Sequence, residues 1–260
     1  MQKSSSKEES ISELRIPLED KRILNKCDLI LVSCQADKMI LIANEIEVPI
    51  EILAPGIREE RFTEITEIEK SAFFKYASLI KKEEFALGLI SYKNEQDIKD
   101  LITIATKIKD IKLFIFGPKT GPFSVSWKVR RLIKNAPKNL IFKSFVNHDI
   151  FKSAMLESKF FIATREGEKE ILTLLEAMIT KTQIFTFNNH YTGDFLIDNV
   201  NCILSLNGED MAKSIIAYLE CGVNSTVENA YIQVKKLNFK EISKEVKSLL
   251  DKYIDLKISQ

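Results

Sequence analysis

Residues 158–180, SKFFIATREGEKEILTLLEAMIT, decide the fold that we expect for this chain. They begin with an apolar run at Phe160–Ala163, which predicts a buried strand. After a short polar loop, apolar residues recur on one side of a predicted helix: Ile171, Leu172, Leu174, Leu175 and Met178. Open parallel sheets place ligands at strand-to-helix turns of this kind. The two carboxylates of the stretch, Glu168 at the helix start and Glu176 eight residues later, are therefore candidate site residues.

The composition excludes several classes of protein. Of the 260 residues, 45% are hydrophobic and 29% are charged, which is ordinary for a globular domain. Because 38 Lys and Arg residues balance 37 Asp and Glu residues, we do not expect a nucleic-acid partner. No apolar run approaches the roughly 20 residues of a membrane helix, and the polar start of the chain lacks the apolar core of a signal peptide. The sequence therefore predicts a cytoplasmic protein without a membrane span.

The cysteines and histidines argue against a metal centre. The four cysteines are far apart, without a CxxC pair, and the chain has only two histidines. This spacing favours free thiols over zinc ligands. The sequence also has no P-loop and no G-x-G-x-x-G motif. We therefore expect no metal and no bound cofactor.

Strands and helices alternate from Phe85 onward, which predicts right-handed crossovers and a parallel sheet covered on both faces. The six predicted strands occupy residues 85–91, 112–116, 139–143, 160–163, 183–187 and 202–206. Six is the number of strands in the doubly wound order 3-2-1-4-5-6, whose switch point lies between the first and fourth strands. The fold class that we expect is α/β, with a Rossmann-like, doubly wound parallel sheet.

The remaining segments predict a smaller N-terminal part and a helical tail. In the N-terminal part, two short strands flank a helix at 35–47, and a charged connection follows at 58–69. Further helices are predicted at 123–134 and, as one long charged helix, at 227–256. We expect three parts: a reduced N-terminal segment at 1–57, the main domain at 58–224 and a helical tail at 225–260.

In this topology the loops that contain Lys93 and Glu168 meet at one crevice. A lysine beside a helix N-terminus suits a phosphate, and a carboxylate suits ribose or sugar hydroxyls. Together they indicate a nucleotide or a nucleotide sugar. Each also has a structural interpretation, Lys93 as a solvated side chain and Glu168 as the complement of a helix dipole. Glu176 lies among apolar neighbours and needs a partner, which is either structural or a ligand.

Three other features are less specific. Thr192 and Gly193, in the polar loop after the fifth strand, are placed to offer backbone N–H groups to a phosphate. Trp127 opens the basic stretch WKVRR, which we interpret as a solvated helix face in preference to a basic-aromatic patch. His148 lies between a strand and a helix, which favours a capping or surface role.

Four segments, taken in order, carry a resemblance to a known family. The first is DLILVSCQADKMILIANEIEVPIEILAPGI (28–57), a strand, a helix and a strand that closes in Pro-Gly-Ile. The next two are GLISYKNEQDIKDLI (88–102) and KLFIFGP (112–118). The fourth, NLIFKSFVNHDIFKSAMLESKFFIATREGEKEILTLLEAM (139–178), ends in two glutamates separated by seven residues. In this order they resemble the GT-B glycosyltransferases, specifically the retaining enzymes of family four, over roughly residues 26–220.

The resemblance implies an activity and a set of roles. The chain would transfer a sugar from a nucleotide diphosphate sugar to a hydroxyl acceptor, without a metal. Lys93 would contact the donor diphosphate, Glu168 would lie near the donor sugar, and Glu176 would bind the ribose hydroxyls. Thr192 and Gly193 would lie near the phosphates or the sugar. In such enzymes, stabilisation of the departing diphosphate supplies much of the catalysis.

The sequence departs from the family pattern in ways that keep other functions open. Leu89 stands where the family has an arginine, and Lys169 and Ile171 stand where glycines are usual. Residues 1–55 match only the last segment of the family's acceptor domain. The chain is therefore either an enzyme, or a non-catalytic GT-B-like subunit that supports an active transferase, or an unrelated small-molecule-binding α/β protein. The apolar N-terminal segment is expected to contact a partner or a second copy.

Overall fold

A computed structural model of the chain describes residues 15–63, 66–80, 83–119, 125–165, 171–187, 195–222 and 225–258. The contacts between residues divide the chain into two units. The first unit contains the described residues up to Gly56 and those from Leu237 onward. The second unit contains the described residues from Ile57 to Lys236.

The secondary-structure elements are numbered here in chain order within the described ranges. The strands are β1 (Ile30–Val32), β2 (Ile50–Ile52), β3 (Phe85–Leu89), β4 (Lys112–Gly117), β5 (Leu140–Ser144), β6 (Phe160–Ala163), β7 (Gln183–Phe187) and β8 (Ile203–Ser205). The helices are α1 (Leu18–Leu24), α2 (Gln35–Ala43), α3 (Glu60–Thr63), α4 (Glu67–Lys70), α5 (Ala72–Ala77), α6 (Glu95–Lys107), α7 (Trp127–Lys134), α8 (His148–Glu157), α9 (Ile171–Ile179), α10 (Gly208–Cys221), α11 (Ser225–Lys235) and α12 (Phe239–Ile258).

The second unit is built on a six-stranded sheet with the strand order β5-β4-β3-β6-β7-β8. All neighbouring strands are parallel, and β3 pairs with β6 from Leu87↔Phe161 to Leu89↔Ala163. Counted from β3, this is the order 3-2-1-4-5-6, so the predicted doubly wound α/β fold is confirmed. The switch point lies between β3 and β6, as the sequence predicts.

Both faces of this sheet are buried, which explains the nearly continuous apolar runs of its strands. On one face, α6, α7 and α10 pack against alternate strand residues, among them Ile115 and Ile162. On the other face, Phe73 of α5 contacts the rings of Phe85 and Phe114, at centroid distances of 4.8 and 5.1 Å. Right-handed crossovers send the chain after β3 to the first face and the chain after β6 to the second. The crevice between these diverging loops is the expected ligand position.

Three predicted elements differ from the structure because capping residues were missed. The helix predicted from residue 123 begins at Trp127, because Ser126 Oγ accepts the N–H of Val129 at 3.3 Å. The predicted single tail helix is two helices, since Asn238 Oδ1 accepts the N–H of Lys240 at 2.8 Å and starts α12. The charged connection at 58–69 contains α3 and all of α4 except its last residue, and a Thr66 capping box starts α4.

The first unit combines a two-stranded parallel sheet with three helices among its described residues. In this sheet β1 pairs with β2, from Ile30 opposite Ile50 to Val32 opposite Ile52. Leu41, Ile46 and Ile50 form a small buried cluster. The last helix packs on this part of the chain: the Tyr253 hydroxyl donates to Glu51 Oε1 at 2.8 Å. Exposed apolar side chains remain, among them Leu31, Met39, Ile42 and Ile52.

No helix in the described ranges combines the length and the apolar character that crossing a membrane requires.

Candidate functional site

A cavity of about 310 Å³ opens at the carboxyl-terminal edge of the six-stranded sheet. It is formed by the end of β3, the loop between β5 and α8, the first turn of α8 and the middle of α9. Its described lining residues are Leu89, Phe145, Val146, His148, Phe151, Thr173 and Glu176. The cavity therefore combines aromatic and aliphatic walls with one carboxylate, one imidazole and one hydroxyl, a mixture typical of small-molecule sites.

Glu176 is the acidic group among the described lining residues. It lies on α9, and its side chain keeps 20% of its surface exposed in spite of apolar helix neighbours. Glu176 Oε1 lies 3.9 Å from His148 Nδ1, too far for a hydrogen bond. His148 begins α8 after the cap Asn147, and its ring meets Phe62 edge-on at 6.0 Å. The carboxylate thus faces the cavity beside a titratable ring, an arrangement that the sequence did not indicate for His148.

The end of β3 supplies an apolar wall where the family resemblance expects a cation. Leu89 is buried and lines the cavity. Its carbonyl oxygen accepts a hydrogen bond from Thr164 Oγ1 at 2.8 Å, which joins the ends of β3 and β6 at the switch point. The position is therefore well fixed, but it offers no charge to an anion.

Lys93 lies on the loop that leaves β3. The preceding residue, Tyr92, has a left-handed backbone (φ 61°) and a buried ring. Gly117 makes room for this ring, because a Cβ at that position would lie 2.6 Å from Tyr92 Cε2. Burial also raises the pKa of the Tyr92 hydroxyl. Asn94 then caps α6 by accepting the N–H of Gln96 at 2.9 Å, so that the Lys93 loop is fixed at both ends.

The structure does not place Lys93 in the cavity with Glu176. The Lys93 side chain is exposed, and it is not among the described residues that line the cavity. Lys93 leads into α6 and Glu176 lies on α9, and these helices cover opposite faces of the sheet. What the two residues share is the carboxyl-terminal edge at the switch point. Their common cleft stays a prediction.

The other predicted site residues lie outside the described residues. Glu168 belongs to the gap at 166–170, and Thr192 and Gly193 belong to the gap at 188–194. The roles assigned to them by resemblance therefore stay predictions.

A buried ionic cluster beside the switch point was missed by the sequence analysis. Arg165 follows β6, and its Nη1 lies 2.9 Å from Asp97 Oδ1 and 2.7 Å from Asp100 Oδ2. The two aspartate side chains are only 1% and 6% exposed, and the arginine side chain is 24% exposed. The guanidinium also stacks on the Phe187 ring at 4.0 Å. Because both carboxylates are withdrawn from water, the guanidinium is required to compensate them.

The cluster connects four segments at the carboxyl-terminal edge of the sheet. Arg165 Nη2 donates to the carbonyl oxygen of Leu206, after β8, at 3.3 Å. The N–H of Gly208 donates to Asp100 Oδ1 at 2.9 Å. A Cβ on Gly208 would lie 2.7 Å from Asp100 Cα, so this glycine lets α10 begin directly against α6. The cluster therefore fixes Arg165, the last described residue before the gap at 166–170, which includes Glu168.

A second cavity, of about 420 Å³, lies at the opposite edge of the sheet. It is bordered by the start of β8 and by the end of α10, where Cys221 and Gly222 lie. Its described lining residues include no charged side chain. The smaller cavity is the better candidate site, because it lies at the carboxyl ends of the strands.

Within the described ranges, no group of three or more His, Cys, Asp or Glu side chains could hold a metal ion. That the site works without a metal stays a prediction.

A doubly wound parallel sheet with a cavity at its switch point defines a Rossmann-like domain of the ligand-binding type. The family model described as "Glycosyl transferases group 1" matches residues 70–252, which is most of the chain. The chain therefore belongs to the glycosyl transferases group 1 family and is a glycosyltransferase.

Individual relatives agree with this assignment. The chain is 22% identical over 231 residues to the processive diacylglycerol alpha-glucosyltransferase of Acholeplasma laidlawii, covering 88% of this chain and 69% of that protein. A glycosyltransferase structure from Rickettsia africae ESF-5 has a TM-score of 0.72 and 15% identity, covering 93% of this chain and 68% of that one. Anabaena Alr3699/HepE in complex with UDP and glucose has a TM-score of 0.73 and 14% identity, covering 91% and 68%. The chain thus spans about two thirds of each relative, and the structural matches support the fold.

Proposed function

We propose that this chain binds a nucleotide diphosphate sugar at the switch point and transfers the sugar to a hydroxyl acceptor. The observation that carries the proposal is the placement of Glu176, whose partly exposed carboxylate lines the cavity at the carboxyl ends of the strands. A carboxylate can accept two hydrogen bonds at once from neighbouring ribose hydroxyls. A nucleoside is therefore the part of the donor that this cavity suits.

The cavity walls support the same assignment. Phe145 and Phe151 provide aromatic surface for a base, and Thr173 provides a hydroxyl beside the carboxylate. Family membership adds the reaction type, which is sugar transfer. Because Leu89 offers no cation, we assign the diphosphate to Lys93 and to residues within 166–170 and 188–194. Glu168 would lie near the sugar, and Thr192 and Gly193 would lie beside the phosphates.

Among the relatives, the Anabaena protein was solved with UDP and glucose, which makes UDP the first nucleotide to test here. The Acholeplasma relative is named for diacylglycerol, which makes a lipid hydroxyl the first acceptor to test. Neither ligand is fixed by the described residues of the cavity. We further propose that the reaction needs no metal, because cationic side chains and backbone N–H groups can stabilise the departing diphosphate.

Titration calorimetry with UDP and GDP tests the binding step. We expect one of them to bind the unmodified chain, and we expect Glu176→Gln to weaken that binding by about 1–3 kcal/mol, the cost of a lost charge-assisted hydrogen bond. Glu220→Gln is the matched control, since this glutamate is exposed at the end of α10. Equal affinities for the two variants would refute the role of Glu176.

A second function is favoured by two observations, the uncharged Leu89 wall and the exposed apolar residues of the first unit. These features suit a non-catalytic GT-B-like subunit that supports an active transferase. Such a subunit would bind either a partner chain or a second copy of itself. Sedimentation analysis together with a sugar-transfer assay separates the two functions. A monomer that transfers sugar from its donor at ordinary enzyme rates, on the order of 1–1000 per second, would exclude the second one.

A further inference from the structure

Residues 111–148 have an uneven charge distribution. They include eight Lys or Arg residues and no Asp or Glu, although the whole chain balances 38 basic against 37 acidic residues. Two of the eight cations contact an acidic or aromatic side chain: Lys112 Nζ pairs with Glu83 at 2.8 Å, and Lys143 Nζ lies 5.5 Å from the centre of the Tyr76 ring. Five of the remaining six lie on α7 or in the turn after it. Among these five, Arg130 donates to the carbonyl oxygen of Val125 at 3.2 Å, a neutral partner that leaves its charge in place.

Helix α7 turns its apolar side to the core and its basic side to solvent. Val129 is buried, and the apolar residues of the next turn pack against the same core. On the other side, Trp127, Arg131 and Lys134 recur at i, i+4 and i+7 and are exposed. The exposed Lys138 lies four positions after Lys134, the last residue of the helix. We call Trp127, Arg131, Lys134 and Lys138 the basic surface.

The charges of the basic surface are not neutralised by neighbours. Within the part of the chain that the structure describes, no ion pair includes Arg131, Lys134 or Lys138. Glu95, at the start of α6, interacts electrostatically with the neighbouring Lys128 of α7 and is bonded to Lys99 at 2.7 Å. Among the described residues, the basic surface is therefore a positive patch without ion pairs, on a protein whose total charge is nearly balanced.

Trp127 gives this patch a second property. Its side chain is 68% exposed at the first position of the helix, an unusual setting for the largest aromatic residue. Tryptophan is enriched at membrane–water interfaces, because its ring sits well at the level of the lipid head groups. Lysine and arginine near an anionic leaflet each add favourable energy within a Debye length.

We propose that the basic surface binds the surface of a membrane containing anionic lipid. One exposed tryptophan beside a row of cations on a single helix suits a flat, negatively charged surface. A single-stranded nucleic acid would instead call for a basic groove with several stacking aromatic rings. The inference does not depend on the proposed nucleotide site, because it involves neither the cavity nor the reaction.

Trp127 is the chain's only tryptophan, so its fluorescence reports on the basic surface alone. The experiment titrates the full chain with vesicles of phosphatidylcholine, with and without one third phosphatidylglycerol, at low and at physiological salt. We expect a blue shift and co-sedimentation with the anionic vesicles only, both weakened by salt. Binding without a blue shift, or no binding to anionic vesicles, would overturn the proposal.

Charge variants supply the matched comparison. Replacing Arg131, Lys134 and Lys138 together by glutamine should weaken partitioning about a hundredfold, since each cation near an anionic surface contributes about fivefold. Replacing three exposed lysines elsewhere, Lys236, Lys240 and Lys247, removes the same charge and should change partitioning less than tenfold. Thermal unfolding verifies that both variants are folded. Equal losses in the two variants, or a Trp127 blue shift with an oligonucleotide but not with vesicles, would reject the membrane assignment.

Discussion

Arg165 Nη1 lies 2.9 Å from Asp97 Oδ1, although 68 positions separate the two residues in the sequence. The contact joins the end of β6 to the first turn of α6, and so it bridges the two sides of the switch point. A second carboxylate, Asp100, completes the cluster at 2.7 Å. Glu168 follows this fixed arginine by three positions in the sequence. The cluster is therefore a structural support for the proposed donor site.

The first prediction is that Arg165→Leu lowers the free energy of unfolding by about 3 kcal/mol. Removing one partner of a buried ion pair leaves an uncompensated charge and costs about 3–5 kcal/mol. The arginine side chain is 24% exposed, so we expect the lower end of this range. Urea unfolding measures the change.

The matched control for this prediction neutralises the aspartates as well. Combining Arg165→Leu with Asp97→Asn and Asp100→Asn removes both buried charges and should restore at least half of the lost stability. If Arg165→Leu alone changes the unfolding free energy by less than about 0.5 kcal/mol, an ordinary value for a surface substitution, the cluster is not a support.

The second prediction concerns the exposed Lys93. If its ammonium reaches the donor diphosphate, Lys93→Ala should weaken binding of the nucleoside diphosphate by about 1–3 kcal/mol. Binding of the nucleoside without phosphates should hardly change, because only the charge interaction is lost. Calorimetry with both ligands measures the difference. Lys109→Ala, an exposed lysine beyond the far end of α6, is the control. An equal effect on both ligands would contradict the phosphate role.

The third prediction tests the apolar wall at the end of β3. Leu89→Arg places a cation at the border of the cavity, where it can bond to a phosphate. We expect nucleoside diphosphate affinity to rise about tenfold, close to the energy of one charge-assisted hydrogen bond. Leu89→Met is the control of similar volume, and urea unfolding monitors the cost of the buried charge. A folded Leu89→Arg variant with unchanged affinity would show that the phosphates lie elsewhere.

The sheet order could be predicted from the sequence because few topologies satisfy the rules. Apolar runs bounded by turn residues mark the strands, and right-handed crossovers leave one common doubly wound order for six of them. Helix boundaries were harder, because they depend on single caps. Phe123 extends the apolar pattern before Trp127, but Ser126 sets the start of α7. Asn238 likewise divides a charged tail whose composition is uniformly helical.

The candidate site could be predicted only in part. Glu176 was identified because a carboxylate in an apolar helix needs a partner, and it lines the cavity. The same argument applies to Asp97 and Asp100, which alternate with the buried Ile98 and Leu101. Their partner could not be named, because Arg165 is brought to them by the tertiary fold across more than sixty positions. Pairing at that distance is decided by packing and not by local pattern.

The fourth prediction concerns pH and the contact between Glu51 and Tyr253 in the first unit. The hydrogen bond from the Tyr253 hydroxyl, with a smaller contribution from Lys252, lowers the pKa of Glu51. The same bond raises the pKa of Tyr253. A lowered carboxyl pKa means that the stabilisation is present above the ordinary value of about 4.3 and is lost as the pH falls through the folded-state value. A raised tyrosine pKa means that the stabilisation is present below pH 10, roughly the ordinary tyrosine pKa, and is lost as the pH rises through the folded-state value.

Between these two pH limits, the contact between Glu51 and Tyr253 should therefore add a constant amount to the free energy of unfolding. We expect about 1 kcal/mol, the value for one hydrogen bond to a partly exposed carboxylate. Tyr253→Phe removes the hydroxyl and keeps the ring. The difference in unfolding free energy between the unmodified chain and this variant should be flat from about pH 5 to pH 9 and should shrink outside that range. Lys252→Met is the control, since its ammonium is exposed and 3.5 Å from Glu51, and it should change stability much less. A Tyr253→Phe difference that varies steadily across neutral pH would show that another titrating group controls the contact.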